Sequence, residues 1–376
     1  MAGLGYTLTI NREAAPAKVL DAIQRLEVDD SIDRASAFRI KLAIGSTADG
    51  DWSLVGDDLF RPLTPVGVSV LLGGGQREHL ITGYVTAATA MLDEGPGNAY
   101  LEVAGVDATA KMNLAETVRP WPNLADSAIA EQILGKYQLT PRVTTTSPAR
   151  QENEVITTQR TTDIRFLRYL AFRNGFTCYV TTNPTTGAEE GVFGPLDLDA
   201  PDQGVLSVRF GEATSVDRFS VHHQMLRPTT AEAMGVDTAR KSTEKASTTS
   251  QSETVLGRDS TLDLVQPTPV VLPLGTGVDL AGELTDWCQS VVDRSSWAVR
   301  ADGAVRAERF GKALRAGRPV AVRGAGSLYN GTYLVRRVLH GFAGEEYTQE
   351  FELARNGLGQ TSQDQLVDVG GLAAVG

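Results

Sequence analysis

The residues that could do chemistry are few, and their spacing rarely favours it. His222 and His223 are adjacent in a run of alternating texture. On a strand their side chains point to opposite faces, so both cannot easily ligate one metal. No HExxH spacing or compact carboxylate–histidine cluster accompanies them, which favours two strand histidines over a metal site. His340 ends an alternating run and reads the same way, while His79 flanks a turn and reads as solvated. Asp197 and Asp199 lie two apart in the loop Gly194 to Asp199. A calcium loop needs more oxygen ligands at set positions, so a solvated loop is the better reading. Gly73-Gly74-Gly75 lacks the Lys and the following helix that a phosphate loop requires, and Gly324-Ala325-Gly326 precedes a strand, so both read as turns. There is no GxSxG elbow. The 46 acidic residues always offer pairs for glycoside hydrolysis, but none is legible as one. Cys178 and Cys288 are far apart in sequence and form no CxxC pair; they read as two buried thiols, with a disulfide as the minor alternative. Arg165, Arg168 and Arg173 read as a solvated or interface face. No catalytic, cofactor or metal residue is nominated, and the chain is expected not to be an enzyme.

The 376 residues are enough for two or three domains. Apolar residues at 41% and charged residues at 22% are near the globular norm, which excludes wholesale disorder. Aromatics are scarce at 6%, while Gly reaches 38, a balance that points to turn-rich β structure rather than a helix bundle. No apolar run is long enough to cross a membrane as a helix, and Met1 to Ile10 lacks the pattern of a secretion signal, so manufacture in the cytoplasm is expected. The net charge of −11 does not favour specific nucleic-acid binding.

Period-2 alternation predicts strands at 38–44, 66–72, 80–86 and 99–106 in the first β region, with a turn over 93–98. Helical spacing then predicts a helix opened by Asn123 and closed by about Gln138, with Ile129, Ile133 and Leu134 inward. A second helix is expected over 162–174, with Ile164, Leu167, Leu170 and Ala171 on one face and Gly175 ending it. Strands at 176–181 and 191–193 complete a small α+β unit. Strand texture returns at 205–210 and 215–224. Residues 228–260 are rich in Ser, Thr, Lys and Glu and read as an exposed flexible excursion, and 267–274 as a Pro-rich connector. A third helix over 279–295 carries Leu280, Leu284, Trp287 and Val291 as its apolar stripe, followed by strands at 319–322, 331–339 and 347–353. The boundaries are therefore 1–111 for a first β domain, 112–204 for the α+β insert, 205–355 for a second β domain and 356–376 for a small-residue tail. Ile81 to Val85 and Asn330 to Val335 echo each other faintly, as two β domains of similar build would.

The run Gln159-Arg160-Thr161-Thr162-Asp163-Ile164-Arg165-Phe166-Leu167-Arg168-Tyr169-Leu170-Ala171-Phe172-Arg173-Asn174-Gly175-Phe176 resembles the signature of the phage late control protein D family. That family includes VgrG spike proteins and the baseplate hubs of contractile tails and extracellular injection systems. The run Gly331-Thr332-Tyr333-Leu334-Val335, with His340, Tyr347 and Phe351 beyond it, resembles the closing β domain of the same family. The matching positions, Thr162, Asp163, Phe166, Leu167, Leu170, Ala171, Asn174, Gly175, Phe176, Gly331, Tyr333, His340, Tyr347 and Phe351, are fold markers rather than a site. The resemblance implies a β-rich α+β fold: two tube-like β-barrel domains with an α+β insert, three copies forming a pseudo-sixfold ring. It implies a structural baseplate hub that joins a sixfold inner tube to a threefold spike and lines a central channel. The implied partners are a homotrimer, the inner-tube protein, a separate VgrG- or needle-type spike protein and other baseplate proteins, with no membrane and no cofactor. The sequence lacks the repetitive needle that follows the hub in VgrG, so a stand-alone hub assembled into a tail or tail-like particle is expected. The alternatives are a tail-associated cell-wall hydrolase and a tail-tip hub or binding module of a non-contractile tail.

Overall fold

The structure, a computed structural model, describes residues 5–93, 98–146, 156–209, 211–237, 241–271, 283–344 and 346–361. The alternation expected at 38–44, 66–72, 80–86 and 99–106 becomes strand, and Gly5–Ile10 and Ile23–Ser31 add two strands that the sequence reading did not anticipate. The strands are β1 (Gly5–Ile10), β2 (Ile23–Ser31), β3 (Ala37–Ala43), β4 (Pro65–Leu71), β5 (Arg77–Met91) and β6 (Tyr100–Val106). In β3 the apolar members Phe38, Ile40 and Leu42 are buried while Arg39 faces solvent, which is the period of a half-buried sheet. The centre of the predicted 93–98 turn, residues 94–97, lies outside the described residues.

The α+β unit follows. It comprises β7 (Glu116–Trp121), α1 (Asp126–Lys136), β8 (Thr140–Val143), β9 (Thr157–Thr162), α2 (Asp163–Arg173), β10 (Thr177–Thr182) and β11 (Glu189–Gly194). α2 matches its expected span, with Thr162 and Asn174 flanking it and Gly175 left-handed at φ +69°. α1 corrects the reading of Asn123 as its cap. Asn123 has φ +56°, which is incompatible with the extended geometry of a capping residue, and the helix opens after Ala125. Ile129, Ile133, Leu134, Ile164, Leu167 and Leu170 meet in one apolar cluster.

The chain continues as β12 (Val205–Ser207), β13 (Val216–His223), β14 (Thr230–Asp237), β15 (Ser242–Thr248) and the short β16 (Val270–Val271). Then come α3 (Glu283–Ser296), β17 (Val299–Arg306), β18 (Pro319–Arg323), β19 (Gly331–Ala343) and β20 (Glu346–Arg355). Residues 228–260 are therefore not a structureless excursion. β14 and β15 form an antiparallel hairpin in register from Ala231–Thr248 to Asp237–Ser242, and β16 adds in parallel. The stretch has few large apolar side chains because the hairpin presents Ala231 and Ala246 to Leu284, Cys288 and Val292 of α3, which supply the bulk. This also rotates the buried stripe of α3: Trp287 and Val291 are only half-buried. Residues 279–282 of that expected helix, 272–274 of the expected connector, and 362–376 of the expected tail lie outside the described residues.

One thirteen-stranded sheet runs through both β regions among the described residues, in the order β13-β17-β20-β19-β2-β3-β6-β5-β4-β1 with the short Glu13–Ala14 strand at its end. Its joint is β19. The first part of β19 pairs with β18, and Arg337 to Phe342 pairs with Leu26 to Ser31 of β2. The β12–β18 pair is parallel, and the other pairs of this sheet are antiparallel. Gly357–Leu358, at the start of the segment read as a tail, pairs with Asp259–Ser260.

Candidate functional site

The signature residues of α2 build two polar locks. Asp163 accepts hydrogen bonds from Lys136 Nζ (2.8 Å), Tyr137 Oη (2.7 Å) and Gln159 Nε2 (2.6 Å). Burial pushes its carboxyl up, but these donors outweigh burial and hold it below the usual carboxylate range. Gln159 in turn accepts from Trp121 Nε1 at 3.3 Å. At the other end of α2, Arg173 forks onto Asp126, with Nε to Oδ2 at 2.6 Å and Nη2 to Oδ1, and Asn174 Nδ2 donates to the same carboxylate at 2.6 Å. Arg173 is thus largely buried and holds the start of α1, which departs from its reading as part of a solvated or interface face. Phe166, Leu167, Leu170 and Ala171 face the core, and Phe176 packs edge-on to Phe193.

The second set of marker residues lies elsewhere. His340 is fully buried and its Nδ1 lies 2.8 Å from Tyr347 Oη, while Nε2 is buried without a partner. Burial, with Arg315 adding to it, lowers the imidazole to about 3, and burial raises Tyr347. Tyr347 stacks on Phe342 with ring centroids 4.5 Å apart. Phe351 sits opposite Gly303, where an added Cβ would meet the ring at 2.5 Å. Tyr333 Oη donates to Tyr329 O, and Gly331 has φ +127°. The two marker sets therefore occupy separate cores and do not converge on a reaction centre. His222 and His223 lie on β13, opposite Arg300 and Val299 of β17, whereas His340 lies on β19. His79 is half-buried rather than solvated: Ser69 Oγ lies 3.1 Å from Nδ1, and burial, with Arg77 and Arg315 nearby, lowers its basicity. Both cysteines are buried and free, and burial pushes Cys178 up to about 12. Among the described residues no group of three His, Cys, Asp or Glu is placed to hold a metal.

What joins the parts is Arg315, which the sequence reading did not single out. Its side chain is buried, donating from Nη1 to His79 O (2.8 Å) and from Nη2 to Thr182 O (2.9 Å), with Nε 3.5 Å from Asp30 Oδ2. Its amide donates to Gln203 Oε1, and Gln203 Nε2 donates back to its carbonyl. One residue thus ties β2, β5, β10 and the segment before β12. It sits in irregular chain between β17 and β18, so no periodicity marks it. Beside it opens a cleft of about 810 Å³ lined by Arg142, Tyr179, Glu190, Asp197, Asp199 and Gly317, among others. Glu190 there is held by Arg142 (3.4 Å) and Asn183 (2.8 Å).

The sequence model of the Alg8 N-terminal domain family matches residues 4–344. The chain belongs to that family. No curated protein matches this Alg8 N-terminal domain chain by sequence. Solved structures do match it in fold. The 43 kDa tail protein of prophage MuSo2 from Shewanella oneidensis is 16% identical, with a TM-score of 0.68 over 94% of this chain and 98% of that one. The tail protein from Neisseria meningitidis MC58 is 12% identical, with a TM-score of 0.65 over 94% and 97%. The Escherichia coli c3393 protein, described as a component of the type VI secretion system similar to the T4 tail proteins gp27 and gp5, is 13% identical, with a TM-score of 0.58 over 93% and 76%. At these identities the likeness is one of fold, and the fold of this Alg8 N-terminal domain is that of phage tail proteins.

Proposed function

We propose that the chain is a structural component of a contractile, phage-tail-like injection machine, and within it the baseplate hub. The observation that carries this reading is the end-to-end match in fold to two phage tail proteins, each covered almost completely. In the reading, three copies form a ring whose two β regions per chain act as tube-like barrels, six in all, around a central channel. The inner tube docks on one face, a separate spike protein on the other, and other baseplate proteins at the rim. Kinship with the late control protein D family rests on the 159–176 signature, with the run from Gly331 to Phe351 in support. Ring closure through a heterologous interface fits this symmetry. The two β regions share a device that supports their equivalence: Phe38 lies opposite Gly105 on the neighbouring strand, and Phe351 opposite Gly303. The role is assembly, not turnover, and the chain works inside a particle.

The test is light scattering coupled to size exclusion on the purified chain. The expected mass is about 120 kDa, three copies of a 40.2 kDa chain, with a ring and a central hole in electron micrographs. A strict monomer at every concentration, unchanged by tube and spike proteins, overturns the hub. Peptidoglycan is expected to release no fragments on incubation; dose-dependent release would move the reading to a hydrolase.

A further inference from the structure

A second pocket, of about 340 Å³, opens between α2, α3 and the face of the sheet, and it is lined by five arginines, Arg168, Arg227, Arg294, Arg300 and Arg336. Its three carboxylates are already committed. Asp33 forks onto Arg336, with Oδ2 3.0 Å from Nε. Glu253 accepts from Trp297 Nε1 at 2.6 Å. Asp293 accepts from the amide and hydroxyl of Ser252, each at 2.7 Å, and from Gln289. Among the described residues, Arg227 and Arg294 hydrogen-bond only to neutral acceptors, although Asp33 and Glu253 lie within electrostatic range of them. Arg294 donates to Phe176 O (3.0 Å), and Arg227 to Gln224 Oε1 (3.2 Å) and Arg294 O (3.4 Å). Arg300, half-buried on β17, makes no hydrogen bond or ion pair among the described residues.

We propose that this pocket binds the side chains of an acidic peptide segment carried by a protein partner, with Arg300 and Arg294 as the principal contacts. Guanidinium forks match carboxylates geometrically, and like charges gathered in partial burial are costly until an anion joins them. Burial first, then Arg336 and Arg227, depress Arg300 to about 10 in spite of Asp33 and Glu352, and Arg227 and Arg294 are lowered by burial and Arg336 in spite of the nearby carboxylates. Ile32, Phe172 and Trp297 form apolar wall between the charges, which suits the stem and backbone of a peptide better than a bare phosphate. The site stands on charge and geometry, whether or not the chain works in a tail.

The experiment titrates the full chain with a labelled hexaglutamate peptide, at low salt and at about 0.3 M. Saturable binding is expected, weakened about tenfold or more by salt and by Arg300→Gln or Arg294→Gln, and untouched by Arg61→Gln, an exposed residue paired with Asp58. Arg300→Gln is also expected to unfold at the same or a higher denaturant midpoint, because it relieves repulsion. Three results would overturn the site: no peptide binding, binding indifferent to Arg300→Gln, or inorganic phosphate binding more tightly than the peptide. Loss of stability in Arg300→Gln would overturn it too, by making Arg300 an internal structural contact.

Discussion

Single residues hold this protein together through buried charge. Arg315 and Asp30 are both nearly inaccessible, and burial raises Asp30 even though Arg315 pulls it down. Arg315→Met leaves Asp30 uncompensated and removes the donors of His79 O and Thr182 O, so it is expected to cost about 3–5 kcal/mol by urea unfolding. Adding Asp30→Asn should recover part of that loss, and full additivity of the two changes would refute their coupling. His340 and Asp107 give opposite responses to acid. His340, lowered to about 3 by burial, takes up a proton in the unfolded chain before the folded one, so its contribution is intact above about 6.5 and is lost as pH falls towards 3. Asp107, raised to about 6 by burial despite amide donors at Ser36 and Thr109, favours the folded state at low pH and loses that advantage as pH rises from about 4 to about 6. Each slope is at most about 1.4 kcal/mol per pH unit. Denaturation across pH should show a shallower acid limb in His340→Gln and a steeper one in Asp107→Asn. The sequence marked His340 as a strand residue but not its burial, because burial depends on Tyr347 arriving from the partner strand of the hairpin.

At the scale of elements, the glycines facing aromatic rings decide strand packing. A Cβ on Gly105 would lie 2.3 Å from Tyr84 O and 2.4 Å from the Phe38 ring, and one on Gly303 2.3 Å from Arg218 O and 2.5 Å from the Phe351 ring. Alanine at either position is expected to destabilise by about 1–3 kcal/mol, as overpacking does. Gly135, inside α1 with open space around its Cβ position, should gain up to about 1 kcal/mol as alanine. Chemical denaturation of the three variants checks the contrast; equal effects would remove the packing explanation. The helices α1 and α2 were legible because their apolar residues recur at helical spacing and pack on one another. The β14–β15 hairpin was not legible, because its small and polar residues fold only against α3, a partner tens of residues further along the chain.

For the whole molecule, the β19–β2 joint matters most. Leu339 to Phe342 complete the sheet beside β2, and Phe342 and Tyr347 enter the core formed by Leu8, Val28, Ile40 and Val68. A fragment ending at residue 204 loses those side chains and exposes the β2 edge. It is expected to lack near-ultraviolet dichroism or to aggregate; a monomeric, sharply melting fragment would show that the first β region is self-sufficient.

The sequence by itself determined the β-rich class, the two helices of the α+β unit with their inward faces, the turn chemistry at Gly175, and a signature that reads as tail-like. These follow from local periodicity and backbone preference, which each segment carries alone. The tertiary structure decided the continuity of the sheet, the role of Arg315, the structure of residues 228–260 and the clustering of arginines from α2, α3, β17 and β19. Each of these depends on contacts between segments distant in sequence, and a chain's local pattern does not specify which distant surface will supply its missing charge or bulk.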